Sequence, residues 1–228
     1  MATLPKYDKG GESDSSEGWM PNYYVSTDYY IDWSEWAVNR MKTLTMGQRK
    51  IENHETKKVT TPNRICSRFQ NSTTYFKEAI CYSMTGVFAP TFRKSEEGPY
   101  DHKSSSIFVD IHNIYIMLGI LSSKLQKYLQ KTYVNSTVEF GIDDMGALPI
   151  PIDNVSVIEK LVKEIIKKQR VTPRYDYASH EQIEIDKLVY DAYGLNEEDI
   201  NEVETWFARR YPKLAAAQRS NLEKLKKA

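Results

Sequence analysis

The sequence predicts an α+β fold: a small mixed sheet packed on a buried helix, followed by a helical C-terminal region. Three observations carry this expectation. Short runs of aromatic and β-branched residues bounded by turn residues recur through the first two thirds of the chain. One segment near Asn113 is apolar nearly all round at helical spacing. After residue 152 the pattern changes to charged, amphipathic helices. The chain therefore divides into residues 1–152, of mixed character, and residues 153–228, of helical character.

The elements follow in order. Lys9 to Gly18 is polar and glycine-rich and reads as an exposed loop. Asn22 to Trp33 is dense in tyrosine with partial alternation, a strand or hairpin pattern. A short helix over Trp33 to Met46 and a polar connection over Gln48 to Asn63 come next. Val87–Phe92 and Ser106–Ile111 read as strands, with Pro90 favouring an edge position because it donates no ladder hydrogen bond. The main helix opens near Asn113, with Ile114, Met117, Leu118, Leu121, Leu125, Tyr128 and Leu129 at three- and four-residue steps. Inside it Gly119 costs about 1 kcal/mol against alanine, so it marks a close approach of another element. Thr137–Ile142 suggests another strand, and the prolines of Leu148-Pro-Ile-Pro-Ile152 forbid helix there.

Three helices and a tail follow. Asp153-Asn154 are good caps for a helix with Ile158, Leu161, Val162, Ile165 and Ile166 on one face. Pro173 interrupts. Ile185, Leu188, Val189 and Ala192 mark a second helix that Gly194 should stop. Asn196 can cap a third, carrying Ile200, Val203 and Phe207 and ending before Pro212, and a lysine-rich amphipathic tail completes the chain.

Composition bounds the function. With 40% hydrophobic and 27% charged residues the chain is of the globular class. Its longest apolar stretch, Ile114 to Leu121, is far short of the roughly 20 residues that span a bilayer. With no signal segment and only Cys66 and Cys81, a reducing cytoplasm is expected. The net charge is zero but uneven: residues 1–39 hold two Lys/Arg and seven Asp/Glu, whereas residues 40–103 hold twelve and six. A phosphate-facing surface is therefore expected in 40–103. No phosphate-cradling glycine loop and no Gly-x-Ser-x-Gly elbow occur, and the four histidines share no metal-ligand spacing, so no catalytic or metal site is expected. Asp101-His-Lys103 has the acid-x-lysine shape of metal-dependent nucleases but lacks the preceding Pro-Asp pair. Asp143-Asp144 would point to opposite faces of an extended chain, which argues against a shared acid/base pair.

Several short strings stand in a suggestive order: Tyr7-Asp-Lys-Gly-Gly-Glu12, Tyr29-Tyr-Ile-Asp-Trp33, Ser83-Met-Thr-Gly-Val-Phe88, Tyr100-Asp101 with Ser104-Ser-Ser-Ile-Phe108, Leu118-Gly-Ile-Leu-Ser-Ser-Lys124, Leu148-Pro-Ile-Pro151, and the helix Ile185 to Leu195. This order resembles the target-recognition region and closing helices of type IIG and related methyltransferase–nuclease proteins, including the methylases of phage-exclusion systems. The string at Ser83 departs from the family's Ser-x-Gly-x-Phe by one extra residue. The resemblance implies that residues 1–152 are a DNA target-recognition domain belonging to a larger adenine-specific DNA methyltransferase of restriction–modification type. That parent would carry the S-adenosylmethionine domain and its Asn-Pro-Pro-Tyr-type motif, which this chain lacks, and the chain itself would hold no cofactor. The implied partners are double-stranded DNA and the parent's methyltransferase domain.

On this reading Arg64, Arg68, Lys77, Arg93, Lys94, His102 and Lys103 are the candidate DNA contacts, all in the basic stretch and mostly near turn signals. Met84, Phe88 and Tyr100 are assigned to the core. The aromatic residues of 22–36 are assigned to packing before base stacking, because aromatic-rich segments usually build cores. Two other readings stay open: a specificity subunit of a type I restriction system, with the helix from 153 as spacer, or a non-catalytic protein–protein interaction module.

Overall fold

A computed structural model describes residues 4–8, 18–44, 51–52, 55–56, 59–60, 69–101, 104–109, 114–151 and 156–227. Helix α1 (Glu35–Thr43) starts where Ser34 accepts a hydrogen bond from the Ala37 amide at 3.3 Å, satisfying a donor that every helix start leaves open. Only Ala37 of this helix is buried. In the stretch read as a polar connection, β1 (Ile51–Glu52) pairs antiparallel with β2 (Val59–Thr60).

The main sheet has the order β4–β3–β5, where β3 is Ile80–Ser83, β4 is Phe92–Lys94 and β5 is Ser104–Ile107. Both of its pairings are antiparallel, with Cys81 opposite Arg93 on one side and Ser106 on the other. An isolated parallel bridge from Tyr23 to Arg93 runs along the free side of β4, outside this antiparallel sheet. Tyr23 lies in the left-handed region, φ 70°, a strained position that persists only because its surroundings over-determine it. Its amide donates to Phe92 O and its carbonyl accepts from the Lys94 amide, both at 2.8 Å. Its hydroxyl donates to Gln182 Oε1 at 2.6 Å, and its ring meets Tyr177 edge-on at 4.9 Å.

Three expected elements differ. Among 22–33 there is no strand or hairpin, only isolated bridges at Tyr23 and Tyr30. The strand expected from Val87 begins only at Phe92, because side chains take the backbone donors before it: Ala89 donates to the Tyr211 hydroxyl and Thr91 to the Ser83 hydroxyl, each at 3.1 Å. Thr137–Ile142 is reduced to one bridge, Glu139 to Thr85, and Ile142 opens the short helix α4 (Ile142–Gly146). There the Asp144 carboxylate accepts from the Gly141 amide at 2.7 Å, so Asp143 and Asp144 sit in a helical turn and not on an extended chain. The strand expected at 106 overlaps β5, and its residues 110–111 lie outside the described residues.

The main helix is two helices, α2 (Ile114–Ser122) and α3 (Lys124–Leu129), followed by a π-helical turn Gln130–Val134. Ser123 between them is extended, and its hydroxyl caps α3 by accepting from the Gln126 amide at 3.3 Å. Serine side chains compete with the helical ladder for backbone donors, which explains a break that apolar spacing alone does not reveal.

Beyond 152 lie α5 (Ser156–Val171), α6 (Glu181–Ala192), α7 (Glu197–Arg210) and α8 (Pro212–Lys227). Asp153 and Asn154, the expected caps of the first, lie outside the described residues. Gly194 takes a φ of 66° after α6, and Asn196 caps α7 by accepting from the Glu198 and Asp199 amides at 2.8 and 3.0 Å. The close approach expected at Gly119 is to α5: a methyl group there would collide with Ile158 and press on Val162. One hydrophobic cluster crosses residue 152, joining Tyr23, Ile80, Tyr82 and Phe92 to Ile158, Val162, Ile165, Ile185, Val189 and Phe207. Each such side chain contributes roughly 1.5–3 kcal/mol on full burial, so the sheet and the C-terminal helices stabilise each other. Among the described residues no helix is long and apolar enough to cross a membrane.

Candidate nucleic-acid interface

Of the seven candidate contacts, Arg64, Arg68, His102 and Lys103 lie outside the described residues. Lys77 is exposed in the turn before β3. Arg93 requires correction. Its side chain is 4% exposed and its Nη2 donates to Asp8 Oδ1 at 3.0 Å, so no phosphate reaches it. The position opposite Cys81 on the central strand puts it inside, and Asp8 supplies the countercharge. Lys94 is 11% exposed and pairs with Glu78 at 2.9 Å, so it too is engaged within the fold. The basic stretch thus contributes cations of two kinds, and spacing in the sequence does not separate them.

The outward-facing kind gathers around α1. Trp33, just before the helix, stacks on Phe69 with centroids 5.8 Å apart and meets Tyr75 and Phe76 edge-on at 5.6 and 5.3 Å. Tyr75 continues the cluster to Tyr100 at 5.4 Å, and Tyr100 to Phe108 at 6.4 Å. This cluster stands apart from the main hydrophobic core, in which Met84 and Phe88 take part but Tyr100 does not. Lys42 Nζ lies 4.8 Å above the Phe69 ring of this cluster, and exposed Lys77 follows directly on Phe76; the Arg40 guanidinium lies 5.5 Å from the ring of Trp36, which is outside it. Tyr29, Tyr30, Trp36 and Phe76 are all exposed, Trp36 at 68%. The aromatic stretch 22–36 therefore splits: Tyr23 packs in the core, while Tyr29, Tyr30 and Trp36 face solvent. Arg40, Lys42 and Trp36 were not among the expected contacts, and the legible signal was the four-residue spacing of Trp36 and Arg40 on one helix face.

The strings of the resemblance meet elsewhere, in two buried knots. In the first, Asp8 accepts from Arg93 and, at 2.8 Å, from the Ser104 hydroxyl, tying the segment at Tyr7 to β4 and β5. Asp101 accepts from the Tyr7 hydroxyl at 3.0 Å, and burial together with that carboxylate pushes the Tyr7 hydroxyl up to about 12. Asp101 is thereby committed to a structural bond, whatever its acid-x-lysine spacing. Cys81 lies beside this knot, and burial raises its thiol to about 11, far from a nucleophile's range.

In the second knot the Lys124 amide donates to Asp186 Oδ1 at 2.9 Å, and Lys124 Nζ pairs with Glu204 at 2.7 Å and approaches Asp186 at 3.9 Å. Gln126 donates to Pro149 O at 2.8 Å and to the Tyr193 hydroxyl at 2.6 Å. The strings at 118–124, 148–151 and 185–195 therefore converge at one place. Lys127 is buried beside them, its ammonium donating to Ser122 O, and burial lowers it to about 8 against the pull of Asp186. Burial likewise raises the Asp186 carboxyl, with Lys124 opposing. These lysines and Asp186 were missed as a unit, because amphipathic spacing assigns a helical lysine to solvent by default.

A polar cleft of about 230 Å³ is lined by Lys6, Lys94, Ser95, Glu96, Glu97 and Arg170. Burial would raise the Glu96 carboxyl, but hydrogen bonds from Lys6 at 2.8 Å and Tyr24 at 2.6 Å hold it below the usual carboxylate range. With Glu78 on Lys94 as well, the cleft's charges are balanced. No protein-family model matches this sequence, and no curated protein matches it significantly.

Proposed function

We propose that this chain binds duplex DNA as the sequence-reading part of a larger restriction–modification enzyme, an adenine-specific DNA methyltransferase whose S-adenosylmethionine domain would lie in the parent protein. The observation that carries the DNA-binding reading is α1, where Arg40 lies over the exposed Trp36 ring and Lys42 over the Phe69 ring at the start of the basic stretch, with exposed Lys77 following Phe76 further along it. Cations in this setting hold phosphates and fix register, while loops beside them reach base edges. Arg64, Arg68, His102 and Lys103 belong to the same stretch and extend the proposed contact set. The ordered strings support the placement within such an enzyme, acting in the cytoplasm, with the parent's methyltransferase domain as partner.

The test is binding of the chain to a labelled duplex across a salt series. Non-specific affinity in the range of roughly 10⁻⁴–10⁻⁶ M is expected, with log K falling linearly against log salt. Replacing Arg40, Lys42 and Lys77 together by alanine should flatten that slope by about 3, one for each phosphate no longer neutralised. A folded chain that shows no binding to duplex DNA at low salt overturns the reading.

A further inference from the structure

Resting on the DNA-binding reading above, we propose that Trp36, with Arg40 lying over its ring, is a stacking platform for an unpaired DNA base. The chain then prefers DNA carrying an extruded base over the same DNA fully paired.

Trp36 is 68% exposed on a helix whose only buried residue is Ala37, so its indole contributes nothing to the core. The neighbouring rings are already engaged: Trp33 contacts Phe69, Tyr75 and Phe76. Trp36 has no ring partner among the described residues. Its companion is the Arg40 guanidinium, one helical turn on and 5.5 Å from the ring centroid. A cation over one face of an indole leaves the other face for a flat apolar partner and supplies a positive charge beside it. Nucleobases are flat, and a base held there brings its flanking phosphates toward Arg40. Base-on-aromatic stacking with flanking cations is how proteins hold unpaired strands without reading their sequence. A base inside an intact duplex presents no free face, so the platform discriminates by pairing state.

The experiment compares a short duplex carrying one central unpaired adenine with its fully paired counterpart, measured by fluorescence anisotropy with wild type, Trp36→Ala and Trp36→Phe. Wild type is expected to bind the unpaired-base DNA roughly 5- to 150-fold tighter, the size of one stacked base, with quenching of indole emission. Trp36→Ala should lose this preference, binding the two DNAs alike, and Trp36→Phe should keep part of it. Circular dichroism checks that the variants fold. Equal wild-type affinity for the two DNAs overturns this proposal and leaves duplex binding standing. A preference that survives in Trp36→Ala overturns the assignment to this ring. Absence of binding to either DNA overturns both this proposal and the reading on which it rests.

Discussion

Helices α1 and α3 each carry two cations close together, Arg40 and Lys42 on one, Lys124 and Lys127 on the other, and the fold uses them in opposite ways. On α1 Arg40 lies over the exposed Trp36 ring and Lys42 over the half-buried Phe69 ring. On α3 both lysines are buried, Lys124 against Asp186 and Glu204 and Lys127 against a backbone carbonyl. Neither the residue type nor its spacing makes this difference. Only Ala37 of α1 is buried, whereas α3 packs against α6 and α7. A cation that keeps its water is available to a ligand; one stripped of water must be matched inside or its proton is weakened.

The comparison breaks first at Arg93, which belongs by sequence to the outward set and by structure to the inward one. Arg93→Met leaves Asp8 buried without its cation, and a loss of about 3–5 kcal/mol of stability is expected in urea denaturation. A variant as stable as wild type but weaker on DNA would return Arg93 to the surface set.

Lys127 provides the next test through pH. In the unfolded chain lysine holds its proton to about pH 10.4, but in the fold burial releases it near pH 8. Below pH 8 both states are charged and the fold bears the cost of a buried ammonium. Between pH 8 and about 10.4 the unfolded state binds more protons, so this site's contribution to stability rises with pH. Lys127→Met removes the site. The difference in stability between variant and wild type should therefore shift in favour of wild type by up to about 3 kcal/mol across that window. A difference independent of pH would mean that Lys127 reaches water.

A smaller effect is expected at the α2–α5 contact. Gly119→Ala gains about 0.5–1 kcal/mol of helix propensity, but the added methyl collides with Ile158, and overpacking costs about 1–3 kcal/mol. A lower melting temperature is expected; a higher one would show that α5 can move away. The smallest effect belongs to Lys77→Ala, which should leave stability within about 0.5 kcal/mol while reducing the salt slope of DNA binding by about 1.

Much of the helical region was legible because its signals are local. Asn196 caps α7, Gly194 closes α6 and Pro212 opens α8 through bonds and dihedrals set within a few residues. The α+β class followed from the change of periodicity, and Gly119 announced a close approach without naming Ile158. The site was less legible. Lys77 was visible as a turn cation, but Arg93 and Lys94 read the same way and are engaged by acids 85 and 16 residues distant. Trp36 was submerged in a tyrosine-rich stretch whose buried member, Tyr23, differs from it only in what packs on it.

Periodicity, caps and turn residues thus determined by themselves where helices begin and end, because those choices depend on neighbours in the chain. Which cations are stripped of water and why the strand before Phe92 fails were decided by the tertiary structure. Each depends on partners that only folding brings within hydrogen-bonding distance: Asp8 for Arg93, Asp186 for Lys124, and the Tyr211 hydroxyl for the backbone of Ala89.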